Sequence, residues 1–168
     1  GEDCTSIGFV QTDGLRFRFI DYHEEEGGSI QSAATVLEEK RRERGFTYSL
    51  HIGPHDLDHR EWGNNAQTRR KTAADLGIKF EVVPQVMDKA DSIDSARRML
   101  NMVWIDQVHC PLLVERWENY RKKWNKTLAV YASDPVHDMS SHCFVGATEI
   151  LTRHGLERIC DLPEHGEV

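Results

Sequence analysis

After an opening hairpin signal, strand-like runs alternate with helix-period segments along this chain, and that order admits few folds. Ile7–Val10 and Leu15–Tyr22 are apolar or alternating runs separated by Gln11-Thr12-Asp13-Gly14. Asp-Gly between two such runs marks a hairpin. Within the second run Leu15, Phe17 and Phe19 alternate with Arg16, Arg18 and Ile20, the period of a strand with one buried face. Ser29 stands where a helix cap belongs, ahead of Ile30, Ala33, Ala34 and Leu37 on one predicted face. Lys40, Arg41, Arg42 and Arg44 close that helix before Gly45, positive charge where the dipole favours it. Further strands are predicted over 46–52, 79–83 and 128–132, and helices over 68–76, 92–102 and 111–124. Strands alternating with helices in this way argue for an α/β fold, a central mixed sheet flanked by helices.

Composition narrows the class further. The chain has 168 residues, 39% hydrophobic and 29% charged, with a net charge of -7 and a mean hydropathy of -0.59. That is a globular composition of one domain or one domain with an appendage. No window approaches the roughly 18 apolar residues of a membrane helix, and no signal-peptide pattern opens the chain. The acidic balance leaves nucleic-acid contact to local patches or metal ions. Cys4, Cys110, Cys143 and Cys160 form no CxxC pair, so neither a disulfide framework nor a closed zinc site is expected, and a reducing compartment fits. The start, Gly1-Glu2-Asp3 running straight into an apolar strand pattern, reads as a piece of a longer chain. From Cys143 the helical periodicity gives way to short β-like runs punctuated by Gly. A boundary is therefore expected between His142 and Cys143, dividing the chain into 1–142 and a β-rich tail, 143–168.

Two acids stand where chemistry is expected. Asp56 follows a strand-like run in His51-Ile52-Gly53-Pro54-His55-Asp56, and ends of central strands in α/β folds face the ligand crevice. A turn or capping aspartate is the plain alternative, and Asp58 is expected to be merely solvated. Asp138, in Pro135-Val136-His137-Asp138, follows a predicted strand, where an N-cap is the plain alternative. Two or three such acids in one crevice would hold a pair of Mg²⁺ or Mn²⁺ ions about 3.5–4 Å apart. His51, His55 and His59 lie four apart, but Pro54 forbids one helix through them, so zinc is not favoured. Basic residues gather at Lys40–Arg44, at Arg69, Arg70 and Lys71, and at Arg121, Lys122, Lys123 and Lys126. Arg69, Arg70, Lys71, Arg121, Lys122 and Lys123 are the candidates for holding DNA phosphates. The chain has no phosphate-cradling GxxxxGK[ST] and so no P-loop of its own.

Residues 3–142 resemble the C-terminal nuclease domain of a tailed-phage (prophage) terminase large subunit. The matching stretches, in family order, are Asp3-Cys4-Thr5-Ser6-Ile7-Gly8-Phe9, Phe19-Ile20-Asp21-Tyr22, Gly53-Pro54-His55-Asp56 with Arg60-Glu61, Asn119-Tyr120-Arg121 with Trp124, and Pro135-Val136-His137-Asp138 with Ser141-His142. The resemblance implies a ribonuclease-H-like fold and a two-metal endonuclease that cuts concatemeric double-stranded phage DNA. It also implies an N-terminal ATPase domain, a small terminase subunit and a portal as partners, in the cytoplasm of the bacterial host. Carried over, Asp56 matches the family's second acidic ligand and Asp138 its last. The first lies upstream of Asp3, so residues 1–168 alone are expected to cut weakly or not at all. A catalytically dead DNA- or portal-binding module and another ribonuclease-H-like nuclease, a resolvase or transposase core, are the alternatives. The tail, Cys143-Phe144-Val145-Gly146-Ala147-Thr148-Glu149-Ile150-Leu151-Thr152 and onward, resembles the N-terminal splicing block of an intein. That resemblance makes Cys143 the splice nucleophile.

Overall fold

The computed structural model describes residues 4–60, 67–85, 89–136, 140, 149–152 and 155–158. The elements begin with strands β1 (Cys4–Thr12) and β2 (Phe17–Glu26), helix α1 (Ile30–Arg44) and strand β3 (His51–Gly53). A 3-10 turn, His55–Asp58, then leads to α2 (Arg69–Asp75), β4 (Phe80–Val82) and α3 (Lys89–Met99). Strand β5 (Val103–Ile105), α4 (Pro111–Asn119), β6 (Lys122–Asn125) and β7 (Val130–Pro135) follow, with β8 (Glu149–Thr152) and β9 (Gly155–Arg158) last. Among the described residues no helix is long and apolar enough to cross a membrane. The chain divides into two compact units, Gly1–Thr5 with Glu25–Gln85, and Ser6–Glu24 with Val86–Val168.

Strands β1, β2 and β5 form a sheet in that order. The link between β1 and β2 is too short for a crossover, so they pair antiparallel, as the hairpin signal predicts. Asp13 organises this link by accepting the N–H groups of Leu15 and Arg16 at 3.0 and 2.8 Å. Those main-chain donors hold its carboxyl below the usual carboxylate range. β2 and β5 run parallel, Phe17 opposite Val103 and Phe19 opposite Ile105, so the sheet is mixed. The other described strands pair off in twos: β3 with β4 in parallel, β6 with β7 and β8 with β9 antiparallel. Mixed α/β architecture is thus observed, but the described strands form four small sheets rather than the one expected.

In the first unit α1 starts at Ser29, whose side chain accepts the Ser32 N–H while Ser32 answers in a reciprocal capping box. It stops at Gly45, at φ 68°, a conformation that favours glycine. Ala33, Val36, Leu57, Ala73, Ile78 and Val83 are buried in this unit. The strand predicted over 46–52 is confined to β3, because the aromatic side chains before it turn back onto α1. Tyr48 donates its hydroxyl to the Leu37 carbonyl at 2.8 Å, and the Arg41 and Arg44 guanidinium groups sit over Tyr48 and Phe46.

In the second unit Phe17 and Met99 pack with Met102 and Val103. Phe19 meets Trp117 of α4 edge to face, ring centroids 5.5 Å apart. The buried Cys110 thiol points at the Phe19 carbonyl, 3.6 Å away. The helix predicted over 111–124 ends at Asn119 instead. Tyr120 is already extended, at φ -68° and ψ 116°, and the Arg121 carbonyl accepts the Val136 N–H at 2.9 Å. Main chain beyond Tyr120 is thereby committed to β6 and its partner β7.

Candidate metal-binding acid and candidate nucleic-acid interface

Asp56 owes its place to Gly53 and Pro54. A Cβ on Gly53 would run into Leu57 Cδ1 and lie 3.0 Å from Phe80 Cδ1, so any larger residue there would have to push the buried Leu57 side chain aside. The Gly53 carbonyl accepts the Val83 N–H at 3.0 Å, which fastens the strand end beside β4. Pro54 is extended, at φ -68° and ψ 160°, and its carbonyl accepts the Leu57 N–H at 3.1 Å to start the 3-10 turn. Asp56 therefore stands one short turn past the C-terminal end of a parallel strand, the edge on which α/β folds collect ligands.

The two oxygens of Asp56 differ. Oδ2 lies 3.4 Å from an Arg69 guanidinium nitrogen, in a pair whose side chains are 45% and 42% exposed, a weak, solvent-screened contact. Oδ1 is shielded from solvent and has no hydrogen-bond partner among the described residues. A shielded carboxylate oxygen without a donor is unfavourable by itself and is the kind of hard oxygen that Mg²⁺ and Mn²⁺ take. Asp58 is half-exposed and paired with Arg70 at 3.5 Å, in keeping with the solvated role expected of it. Asp138, the second expected ligand, lies outside the described residues, as does Cys143. Among the described residues no three His, Cys, Asp or Glu side chains gather as a metal-binding group. His51 belongs to an aromatic cluster with Tyr48 and Phe80, and burial, aided by Arg41, lowers its pKa. His55 and His59 face one another with ring centroids 6.0 Å apart.

The two expected DNA-binding groups have different surroundings. Arg69, Arg70 and Lys71 occupy the first turn of α2, behind the Thr68 cap. Each has a carboxylate neighbour: Asp56 for Arg69, Asp58 for Arg70, and Asp75 for Lys71 at 2.6 Å. Lys122 and Lys123 lie on β6 and are exposed, with no carboxylate partner among the described residues. Arg121 donates to the Asn119 carbonyl at 3.0 Å.

One acid was not singled out from the sequence. Asp21 on β2 is 2% exposed, and its Oδ1 accepts the Tyr22 N–H at 2.9 Å. Its spacing of two and four from Phe19 and Phe17 puts it on their face of the strand; this parity was readable in the sequence.

The fold resembles that of the large terminase from a thermophilic bacteriophage, with a TM-score of 0.59 and 15% sequence identity. The match covers 84% of this chain and 34% of that one, so the chain spans about a third of that terminase. At this identity the likeness is one of fold. No family model and no curated protein matches the chain.

Proposed function

We propose that this chain is a terminase-like nuclease domain whose Asp56 is a ligand for divalent metal in DNA phosphodiester hydrolysis. The observation that carries the reading is the shielded Oδ1 of Asp56, just past the end of β3, which has no hydrogen-bond partner among the described residues. The terminase-like fold supports it from the side of architecture. Mg²⁺ or Mn²⁺, when bound in pairs, supplies a nucleophilic water and charge for the leaving oxygen. Asp56 contributes a negative hard ligand, held by the Gly53-Pro54 turn. Arg69 beside it balances that carboxylate when no cation is present. Asp138 is the second acid of the proposal. Its substrate is double-stranded phage DNA, and its partners are an N-terminal ATPase domain, a small terminase subunit and a portal. Residues 143–168 are, in the same proposal, the first splicing block of an intein, with Cys143 as the nucleophile and His142–Cys143 as the domain boundary.

The test uses a version of the chain extended upstream and ending at His142. With Mg²⁺ or Mn²⁺ it is expected to cut plasmid DNA without sequence preference, and Asp56→Asn is expected to abolish cutting by removing the ligand charge at nearly constant shape. Binding of Mn²⁺, followed by loss of its free electron-resonance signal, should weaken in parallel. Full activity and unchanged Mn²⁺ affinity in Asp56→Asn would place the site elsewhere.

A further inference from the structure

The β6–β7 hairpin carries chemistry that neither the metal nor the fold uses. Between Glu118 and Asp134 the sequence holds Arg121, Lys122, Lys123 and Lys126 and not one acid, in a chain whose net charge is -7. The three lysines are exposed and have no carboxylate partner among the described residues, unlike the neutralised group at the start of α2. Trp124 and Tyr131 are directly opposed in the ladder, with ring centroids 4.8 Å apart and planes at 67°. Yet they remain 48% and 66% exposed. Large rings left in water across a two-stranded ladder, among lysines with no carboxylate partner among the described residues, match the needs of unpaired bases and their phosphates: stacking surface and positive charge. A duplex presents its phosphates but keeps its base faces stacked inside.

We infer that the β6–β7 hairpin is a binding site for single-stranded DNA, with Trp124 and Tyr131 stacking on bases and Lys122, Lys123 and Lys126 holding the backbone. The inference rests on the reading of this chain as a DNA-acting domain and adds the strand state it engages. It places the hairpin where a duplex frays or a cut end opens.

The experiment is fluorescence anisotropy of the full chain against a labelled oligothymidylate of about 12 nucleotides, within the span of one stacking platform. It is run in EDTA beside a duplex of equal length. The single strand is expected to bind more tightly. Trp124→Ala should weaken it roughly tenfold, Trp124→Phe should retain most of the affinity, and duplex binding should change little. Replacing Lys122, Lys123 and Lys126 together by Ala should lower the salt slope for the single strand by about 2. These lysines are exposed, so that variant keeps the inference testable should Trp124→Ala lose its fold by circular dichroism. Unchanged single-strand affinity in Trp124→Ala, or an unchanged salt slope in the lysine variant, overturns the site. A change in self-association without a change in affinity overturns it too and makes the rings a contact between chains. Metal-free binding is separate from cutting. Loss of cutting in Asp56→Asn with intact binding by Trp124→Ala sinks the hairpin and leaves the nuclease standing; the opposite pair of results does the reverse.

Discussion

Glu24, near the end of β2, is bound by Arg116 of α4 through Nε at 3.2 Å and a terminal nitrogen at 2.8 Å. The side chains are 6% and 19% exposed, and Tyr22 donates its hydroxyl to the same carboxylate at 2.9 Å. Removing one partner of a shielded pair strands the other charge. Glu24→Gln should therefore destabilise the chain by about 3 kcal/mol, a fall of roughly 6–12 °C in Tm at this size. Glu24→Leu combined with Arg116→Met should recover much of that loss, since the stranded charge is gone. A thermal melt in which Glu24→Gln matches the parent would show that the pair contributes nothing. Nothing in the sequence marks this pair, because its members lie far apart along the chain and meet only through packing. The position of Asp56 was legible for the opposite reason: strand, glycine, proline and acid fall within one short run, His51 to Asp56, so local rules fix its place. Arg69 and Arg70 fall between these cases. Their basic character was plain, but the neutralising Asp56 and Asp58 lie 13 and 12 residues back, beyond the reach of a composition argument.

At the scale of elements, the boundaries that were legible are those written in caps. Ser29 and Gly45 bracket α1, and Thr68 accepts the Lys71 N–H at 3.1 Å to open α2. Strands were less legible where tertiary pairing decides them. β5 is three residues long and exists through its ladder with β2. β6 continues an apolar pattern that reads as helix until Tyr120 turns extended. The β6–β7 turn shows a residue accepted against its preference. Asn125 Oδ1 accepts the N–H groups of Thr127 and Leu128 at 3.0 and 3.1 Å, and Ala129 then takes φ 52°. The left-handed region costs an L-residue about 1–2 kcal/mol, whereas glycine there loses roughly 0.5–1 kcal/mol through its freer unfolded chain. Ala129→Gly is therefore expected to stabilise the chain by about 0.5 kcal/mol, a rise of roughly 1–2 °C in Tm. Ala129→Val, branched at Cβ, should lower it. A lower Tm for the glycine variant would show that the turn does not hold this conformation in solution.

For the whole molecule, the open question is what residues 143–168 do to the rest. β8 and β9 pair from Glu149 opposite Arg158 to Thr152 opposite Gly155, and among the described strands neither finds a third partner. A two-stranded hairpin is marginal in water without further packing, and its open edges favour association. Thioester formation at an intein's first residue requires more than a cysteine at the junction. The thiol must lose its proton to a positioned base, and its sulfur must approach the preceding carbonyl carbon. Among the described residues no strand besides β8 and β9 stands by to fix either group. In a chain of these 168 residues, the attack of Cys143 on the His142 carbonyl is therefore expected to be slow. Excess dithiothreitol tests this, because an external thiol captures the thioester once it forms and frees the segment that begins with Cys143. Intact mass after prolonged incubation is the expected reading, with only a trace of cleavage after His142. Cys143→Ala, which has no sulfur to attack with, sets the background. Rapid, Cys143-dependent release of the segment from Cys143 to Val168 would show that this block assembles the first splicing step by itself, and that the tail is an active element rather than an inert one.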